Sequence, residues 1–316
     1  MIKNPVMKKK KGGTNVSDGM LRFNRISPFS NAVFSGIFIL LALACILPVL
    51  FVIIISFTSE KSIGVYGYSF LPKEFSLSAY EYVWNMKDLV GRSVLNSIGT
   101  TLVGTVIGVI MTATMGYAMS RKSFVLRKFF TYYIFIPMLF SGGLLSSYVV
   151  NTQILNLKDT YWILILPKVV TSFYIIIMRT FFTTSVPDEM IESGKIDGAK
   201  QLRIFAQLVM PICLPAVATI ALFLTFSFWN EWFLASIYIS PERTDLFPLQ
   251  FVLVNIEQKI QFLISNAGVM GASAQDMPSE TMRMAIVVIA VVPIMFSYPF
   301  FQKYYISGLT VGSVKG

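Results

Sequence analysis

Apolar residues do not alternate with polar ones along this chain; they run together in blocks. Six blocks approach the ~20 residues that a helix needs to cross the hydrocarbon of a bilayer. They are Ala32 to Phe57, Ile98 to Tyr117, Phe129 to Val150, Tyr161 to Met178, Pro215 to Ile239 and Met284 to Phe301. The pattern predicts an all-α integral membrane protein with six transmembrane helices. The first block follows basic residues, but it is too long for a signal-peptide core and no small-residue cleavage site comes just after it. It therefore reads as an uncleaved anchor. Composition agrees with the blocks: 55% of residues are hydrophobic and 13% charged, against about 25% charged in ordinary globular proteins.

Orientation follows from Lys and Arg, which accumulate on cytoplasmic loops. They crowd the N-terminal tail (Lys3, Lys8 to Lys11, Arg22, Arg25), the second loop (Arg121, Lys122, Arg127, Lys128) and the fourth (Arg179, Lys195, Lys200, Arg203). Lys303 and Lys315 follow the last block, and the alternate loops are thinner in basic residues. Both termini are expected in the cytoplasm, with residues 1–31 and 307–316 as tails and 32–306 as the six-span domain. The Lys8 to Lys11 run reads as a topology signal, and no nucleic-acid partner is expected. The first outer loop, Thr58 to Ser93, and the fifth, Ser240 to Met282, are too long for turns. Within the fifth, the Gly/Ala/Ser-rich Asn266 to Ala274 reads as a flexible link.

The chemistry is sparse. The chain has no His, which removes His-based zinc sites and any His general base. Cys45 and Cys213 lie in or beside apolar blocks and supply no disulfide framework. No Walker-A pattern occurs, so ATP is not bound by that route.

The fourth loop, Arg179 to Met210, is not a plain linker. Ser185 with Asp188 three residues on looks like a capping box, and Pro187 falls in the first turn, where it is tolerated. Apolar Met190, Ile191 and Ile196 mix with Glu189, Glu192 and Lys195; Gly198 breaks the run. A second helical segment carries Ile204, Phe205, Leu208 and Val209 before Pro211. Two short amphipathic helices meeting at a glycine make a compact knob. From pattern alone, this is either a membrane-surface helix pair or a docking element for a partner.

Here the sequence resembles a known family. Glu192-Ser193-Gly194-Lys195-Ile196-Asp197-Gly198-Ala199, then Phe205, Pro211 and Pro215, is similar to the E-A-A-x-x-D-G-A … L-P signature. That signature belongs to permease subunits of binding-protein-dependent ABC importers. Ser193 and Gly194 stand where two alanines are usual; both are small, which keeps close packing into a partner cleft. Further blocks resemble the carbohydrate branch: Phe140-Ser-Gly-Gly-Leu with Tyr148, Leu155 to Trp162, Trp229-Asn230-Glu231-Trp232, Phe247-Pro-Leu-Gln250, and Pro299 to Tyr305 with Gly308 to Gly316. The resemblance is to the maltose-type second permease family, nearest its complex-oligosaccharide branch. It implies the type I ABC importer permease fold and a place in a bacterial cytoplasmic membrane. It also implies a second homologous permease, two ATPase subunits and an extracytoplasmic sugar-binding protein as partners. Residues 184–211 would form the coupling loop, with Glu192, Ser193, Gly194, Asp197, Gly198, Ala199, Phe205 and Pro211 docking the ATPase. No cofactor is expected on this chain; ATP with magnesium would sit on the ATPase. Glu192 and Asp197 offer acceptors for charge-assisted hydrogen bonds.

Several features inside the membrane carry two readings. Gly104, Gly108, Thr112 and Gly116 form a ridge of small residues that lets helix backbones approach closely, either for packing or for lining a path. Gly142 and Gly143, behind Pro137, suggest a local break, tolerated where backbone lines a cavity or is buried. Phe140, Gly142, Gly143, Tyr148, Trp229, Asn230 and Glu231 are the candidate substrate path. Trp229, Trp232 and Tyr238 read equally as an interfacial aromatic belt. Lys168 and Glu231 are the two charges within spans. An isolated charge there costs at least ~2.5–3.5 kcal/mol, so at matched depth they would gain by pairing, and a direct Lys168–Glu231 pair is one reading. The alternative places Lys168 snorkelling to the surface and Glu231 in a wet pathway. Two other functional classes stay open: an ion-coupled secondary transporter, or a same-family permease for a non-sugar solute. A membrane-embedded enzyme lacks the residues for acid–base or metal chemistry.

Overall fold

The computed structural model describes residues 27–266 and 279–313. The N-terminal lysine run, most of the Asn266 to Ala274 link and the last three residues lie outside them. Among the described residues all regular elements are helices, with one antiparallel bridge between Thr58 and Phe75. The chain divides into two compact units, Met1–Phe51 and Val52–Gly316.

The first unit holds most of helix α1 (Pro28–Ser56), with Pro48 inside it. It is apolar on every side, with Phe29, Phe38 and Leu40 exposed, as a helix surrounded by lipid is.

The second unit opens with α2 (Glu60–Tyr66) and α3 (Ser78–Asn85), then α4 (Lys87–Ser120). At 1.5 Å per residue α4 is about 50 Å long. It overshoots a ~30 Å hydrocarbon core, which is why it begins well before Ile98. The small-residue ridge of α4 faces inward: Gly104, Gly108, Thr112 and Gly116 are all buried. A Cβ on Gly104 would lie 2.6 Å from the Phe228 ring, and one on Gly116 2.9 Å from Cβ of Met178. The ridge is internal packing.

The middle spans are broken. Helices α5 (Arg127–Leu139) and α6 (Gly143–Val149), the latter widening into a π turn over Val150–Ile154, meet at 119°. Gly143 takes φ +78 there, a conformation open to glycine at little cost, so the break expected behind Pro137 falls at Gly142 and Gly143. After a turn at Tyr161–Leu164 comes α7 (Leu166–Val169). It joins α8 (Ser172–Ser185) with a 46° bend through extended Val170 and Thr171. Sequence pattern predicts one unbroken helix here, because Val and Thr do not signal a break by themselves.

The knob follows as α9 (Asp188–Ile196) and α10 (Gln201–Arg203), a π turn over Ile204–Val209, and α11 (Met210–Ile212). An 83° bend then leads into α12 (Leu214–Trp229). The expected fifth span is also interrupted: α12 stops at Trp229 and α13 (Phe233–Tyr238) resumes after a break. Last come α14 (Leu249–Ser265), inside the long fifth loop, and α15 (Ser279–Ser313). The carboxylate of Glu60 accepts hydrogen bonds from the Glu280 and Thr281 N–H groups at 3.1 and 3.0 Å, favourable at a helix N-terminus. α15 extends past Ile306, so the division at residues 306 and 307 does not end the helix. Among the described residues three helices are long and apolar enough to cross a membrane, and six if each bent pair counts as one span.

Candidate functional site

The knob ends α9 with a specific backbone arrangement. The Gly198 N–H donates to the Lys195 carbonyl and the Ala199 N–H to the Gly194 carbonyl, both at 3.0 Å. This is a Schellman motif, which needs a left-handed residue just past the helix; Gly198 supplies φ +76. Asp197-Gly198-Ala199 is therefore the sequence form of a helix stop. Pro211 has no N–H to give the turn ahead of it, and that turn is widened into the π helix of Ile204–Val209.

The capping box at Ser185 is corrected. Ser185 closes α8, and α9 begins at Asp188 with no side-chain cap. Pro187 holds the chain extended between the two helices. Asp188 instead takes Lys122 at 2.9 Å and Arg121 at 3.5 Å. The Lys122 hydrogen bond, more than its charge, lowers the Asp188 pKa below the ordinary carboxylate range. Of the apolar residues mixed into α9, Ile191 is buried and Ile196 is 86% exposed. Five residues at 100° each carry it to the far side of the helix. Glu192, Ser193 and Asp197 are exposed with Ile196, and Leu202 is exposed on α10. Gly194 points the other way: a Cβ there would lie 3.1 Å from Leu208 and 3.3 Å from Ile204. Its smallness serves contact within the knob.

Arg121 and Tyr117 join the knob to the spans, and the sequence reading missed both roles. Arg121, only 6% exposed, donates to the Phe182 carbonyl at 3.2 Å and to Ser120 Oγ at 2.9 Å. It thereby caps the carbonyl end of α8 as a cation should. Gln201 donates to the Tyr117 hydroxyl at 2.8 Å, and the Phe205 ring lies 4.9 Å from Tyr117 and 6.4 Å from Phe182. Half-buried Ala199 and Phe205 pack on the same cluster. The signal for Arg121 was hidden in its count as a topology charge.

The second arrangement lies where α7 and α12 end. Lys168 and Glu231 pair directly, the first of the two readings, with side chains 27% and 7% exposed. Lys168 Nζ also donates to the Ser227 carbonyl at 2.8 Å, and the other Glu231 oxygen accepts from the Leu234 N–H at 2.7 Å. The two side chains thus satisfy backbone groups exposed on both sides of the break at Asn230 to Trp232. Neither residue snorkels or stands alone.

The other path residues divide. Phe140, Gly142, Gly143 and Asn230 are exposed. Asn230 donates to the Phe226 carbonyl at 3.0 Å and accepts from Gln250 at 3.3 Å. Trp229 is buried, its indole N–H on the Ala290 carbonyl at 3.1 Å, which removes its face from stacking. Tyr238 is buried as well and stacks on half-buried Tyr148 at 5.6 Å; neither Trp229 nor Tyr238 sits as a membrane belt residue. Among the described residues no group of His, Cys, Asp or Glu is placed to hold a metal.

With this geometry in place, comparison with known proteins is informative. A family model described as "Binding-protein-dependent transport system inner membrane component" matches residues 104–311. The chain is 35% identical over 286 residues to the polygalacturonan/rhamnogalacturonan transport system permease protein YtcP of Bacillus subtilis (strain 168), covering 89% of this chain and 96% of that protein. It is 36% identical over 271 residues to Protein LplC of the same organism, covering 86% and 90%. Among solved structures it resembles a chain of a bacterial ABC transporter involved in the import of the acidic polysaccharide alginate. There the TM-score is 0.73 and the identity 27%, over 93% of this chain and 100% of that one.

Proposed function

The chain belongs to the family of inner membrane components of binding-protein-dependent transport systems, and from that premise we propose that it is the permease subunit of an ATP-driven oligosaccharide importer. It is a multi-pass membrane protein and a transport subunit. The finer reading is a six-span permease of the maltose-type second family, in a bacterial cytoplasmic membrane with both termini inside. A second permease, two ATPase subunits binding ATP with magnesium and an extracytoplasmic binding protein complete the machine. Oligosaccharide as cargo is supported by relatives named for polygalacturonan, rhamnogalacturonan and arabinooligosaccharide transport.

One observation carries the coupling role: Ile196 is exposed on the same helix as exposed Glu192, with exposed Asp197 just after it, and Leu202 is exposed on the next. We read these bare aliphatic groups amid charges as a surface for a protein partner. The rear of the same knob is bound to α4 and α8 through Arg121, Tyr117 and Phe205. A push on the outward face would therefore reach the broken spans as a rigid displacement. ATP hydrolysis on a separate subunit would move the elbow at Gly198, and the bends at Val170 and Asn230 would let half-spans rearrange around the sugar.

Proteoliposomes carrying the whole importer test this. Uptake should require internal ATP. Gly198→Pro, which cannot adopt the left-handed backbone, and Glu192→Lys should leave the permease in the membrane, abolish co-purification of the ATPase and reduce uptake at least about tenfold. Normal uptake by both variants would show that the knob is not the coupling element.

A further inference from the structure

A cavity of about 800 Å³ opens where the 155–160 turn, the 236–247 segment and one face of α14 come together. A smaller hollow of about 400 Å³ shares Asn255 and Lys259 with it and continues along α14. The walls of the larger cavity include the aromatic rings of Tyr148, Phe247 and Phe251. Its charged lining residues are Lys158 and Lys259, with no carboxylate among the rest. Both lysines are exposed, and among the described residues neither has an ion-pair partner. Three neighbouring carboxylates are already committed, while Glu242, beside Pro241 of the lining, is exposed and has no ion pair among the described residues. Asp159 accepts the Ser240 N–H at 2.5 Å and its hydroxyl at 2.8 Å, Glu257 meets Arg283 at 2.5 Å, and Asp245 meets Arg243 at 2.9 Å.

We infer that this cavity is a holding site for an acidic oligosaccharide, with Lys158 and Lys259 receiving carboxylates of its uronate rings. The inference rests on the permease reading above and adds the substrate class. Aromatic walls suit the apolar C–H faces of sugar rings, and Asn255, Ser236 and Thr244 offer hydrogen bonds to hydroxyls. Those features would serve any sugar. The two cations decide the class: a concave wall bearing one sign of charge concentrates counter-charged solute. A neutral sugar can accept hydrogen bonds from either ammonium but gains no ion pair. Both lysines and most of the lining lie on segments placed outside by the proposed topology, and Tyr148, Ser236, Ile237 and Ile239 fall near the outer ends of the third and fifth expected spans, so the site would receive the sugar chain as it enters the spans.

Uptake by the complete importer tests this with a labelled uronate tetrasaccharide and its carboxyl-reduced counterpart, identical in linkage and length. Lys158→Ala and Lys259→Ala should each raise the half-saturating concentration of the uronate roughly fivefold, the upper range for an exposed ion pair. The reduced sugar should be affected clearly less, and Lys→Arg at each position should restore the wild-type value for the uronate. Added salt should weaken the wild-type preference for the acid. An equal effect of the alanine variants on both sugars, or wild-type half-saturation alike for the two, would overturn the acidic site. ATP-dependent uptake of the reduced sugar in that case would leave the permease reading standing. Absence of ATP-dependent uptake of either sugar would bring down the permease reading, and this inference with it.

Discussion

Lys168 shows what a single charge must find inside a membrane protein. Its ammonium reaches Glu231 and the Ser227 carbonyl, while Glu231 also holds the Leu234 N–H. Removing one partner leaves the other charge poorly compensated. That costs about 3–5 kcal/mol for a fully buried pair, and less here because Lys168 is 27% exposed. Lys168→Met and Glu231→Gln should each lower the thermal midpoint of the purified protein, and the double variant should lose less than the sum of the two. Strict additivity in that cycle would mean that the contact carries no coupling energy. Asp159 gives a pH test. The Ser240 N–H, offset in part by burial and aided by the Ser240 hydroxyl, Lys158 and Arg243, keeps its pKa below the ordinary value. A carboxyl group depressed in the folded state stabilises fully above its unfolded value, about 3.9. The contribution disappears as pH falls through the folded value. The stability gap between wild type and Asp159→Asn should therefore be constant from about pH 7 to 5 and close below about pH 4. A gap of the same size at pH 3 would assign the effect to something other than the carboxylate.

Elements in this protein are held by closeness as much as by apolar area. Gly116 lets α4 approach α8 until an added Cβ would lie 2.9 Å from Cβ of Met178 and 3.1 Å from the Arg179 backbone nitrogen. Neither atom is the flexible end of a side chain, so the helices themselves must separate. Gly116→Val should cost about 1–3 kcal/mol, the range for overpacking, whereas Gly36→Val on α1, with nothing within 4 Å of the added Cβ, should leave the main unfolding transition in place. Equal midpoints for the two variants, measured by fluorescence in detergent, would argue against a tight α4–α8 contact. The same scale explains the knob. Its helices are too short to be stable alone. The Schellman stop at Gly198 and the Arg121 and Tyr117 contacts hold them to α4 and α8.

For the molecule as a whole, alternation of basic loops implies that the knob and the 240–247 turn lie on opposite sides of the membrane. Lys195 and Glu242 are exposed on these two segments. Cysteines at the two positions, in a Cys45→Ser background, should react differently with an impermeant maleimide in intact cells. The Glu242→Cys variant should be labelled, and the Lys195→Cys variant only after permeabilisation. Labelling of both, or the reverse order, would contradict the six-span topology.

Apolar blocks and their lengths made the all-helical membrane class legible, because bilayer thickness and backbone satisfaction act on composition over tens of residues. Local chemistry was legible too: Asp197-Gly198-Ala199 spelled a helix stop, and Gly142-Gly143 a break. The placement of Lys168 and Glu231 in apolar runs raised their pairing as one of two readings, and the packed structure brings them into contact. Tertiary structure decided what depends on neighbours distant in sequence. The bend at Val170 and Thr171 and the stop at Asn230 have no strong local signal; Lys168 and Glu231 satisfy backbone groups beside the second, from 59 and 3 residues away. Ser185 had the letters of a cap but was taken up by α8, and Asp188 was claimed by Lys122 from another loop. Trp229 reads as an interfacial aromatic until its indole is seen on the Ala290 carbonyl. A hydrogen bond between segments far apart in the chain leaves no periodicity in either of them, so only the packed structure could assign it.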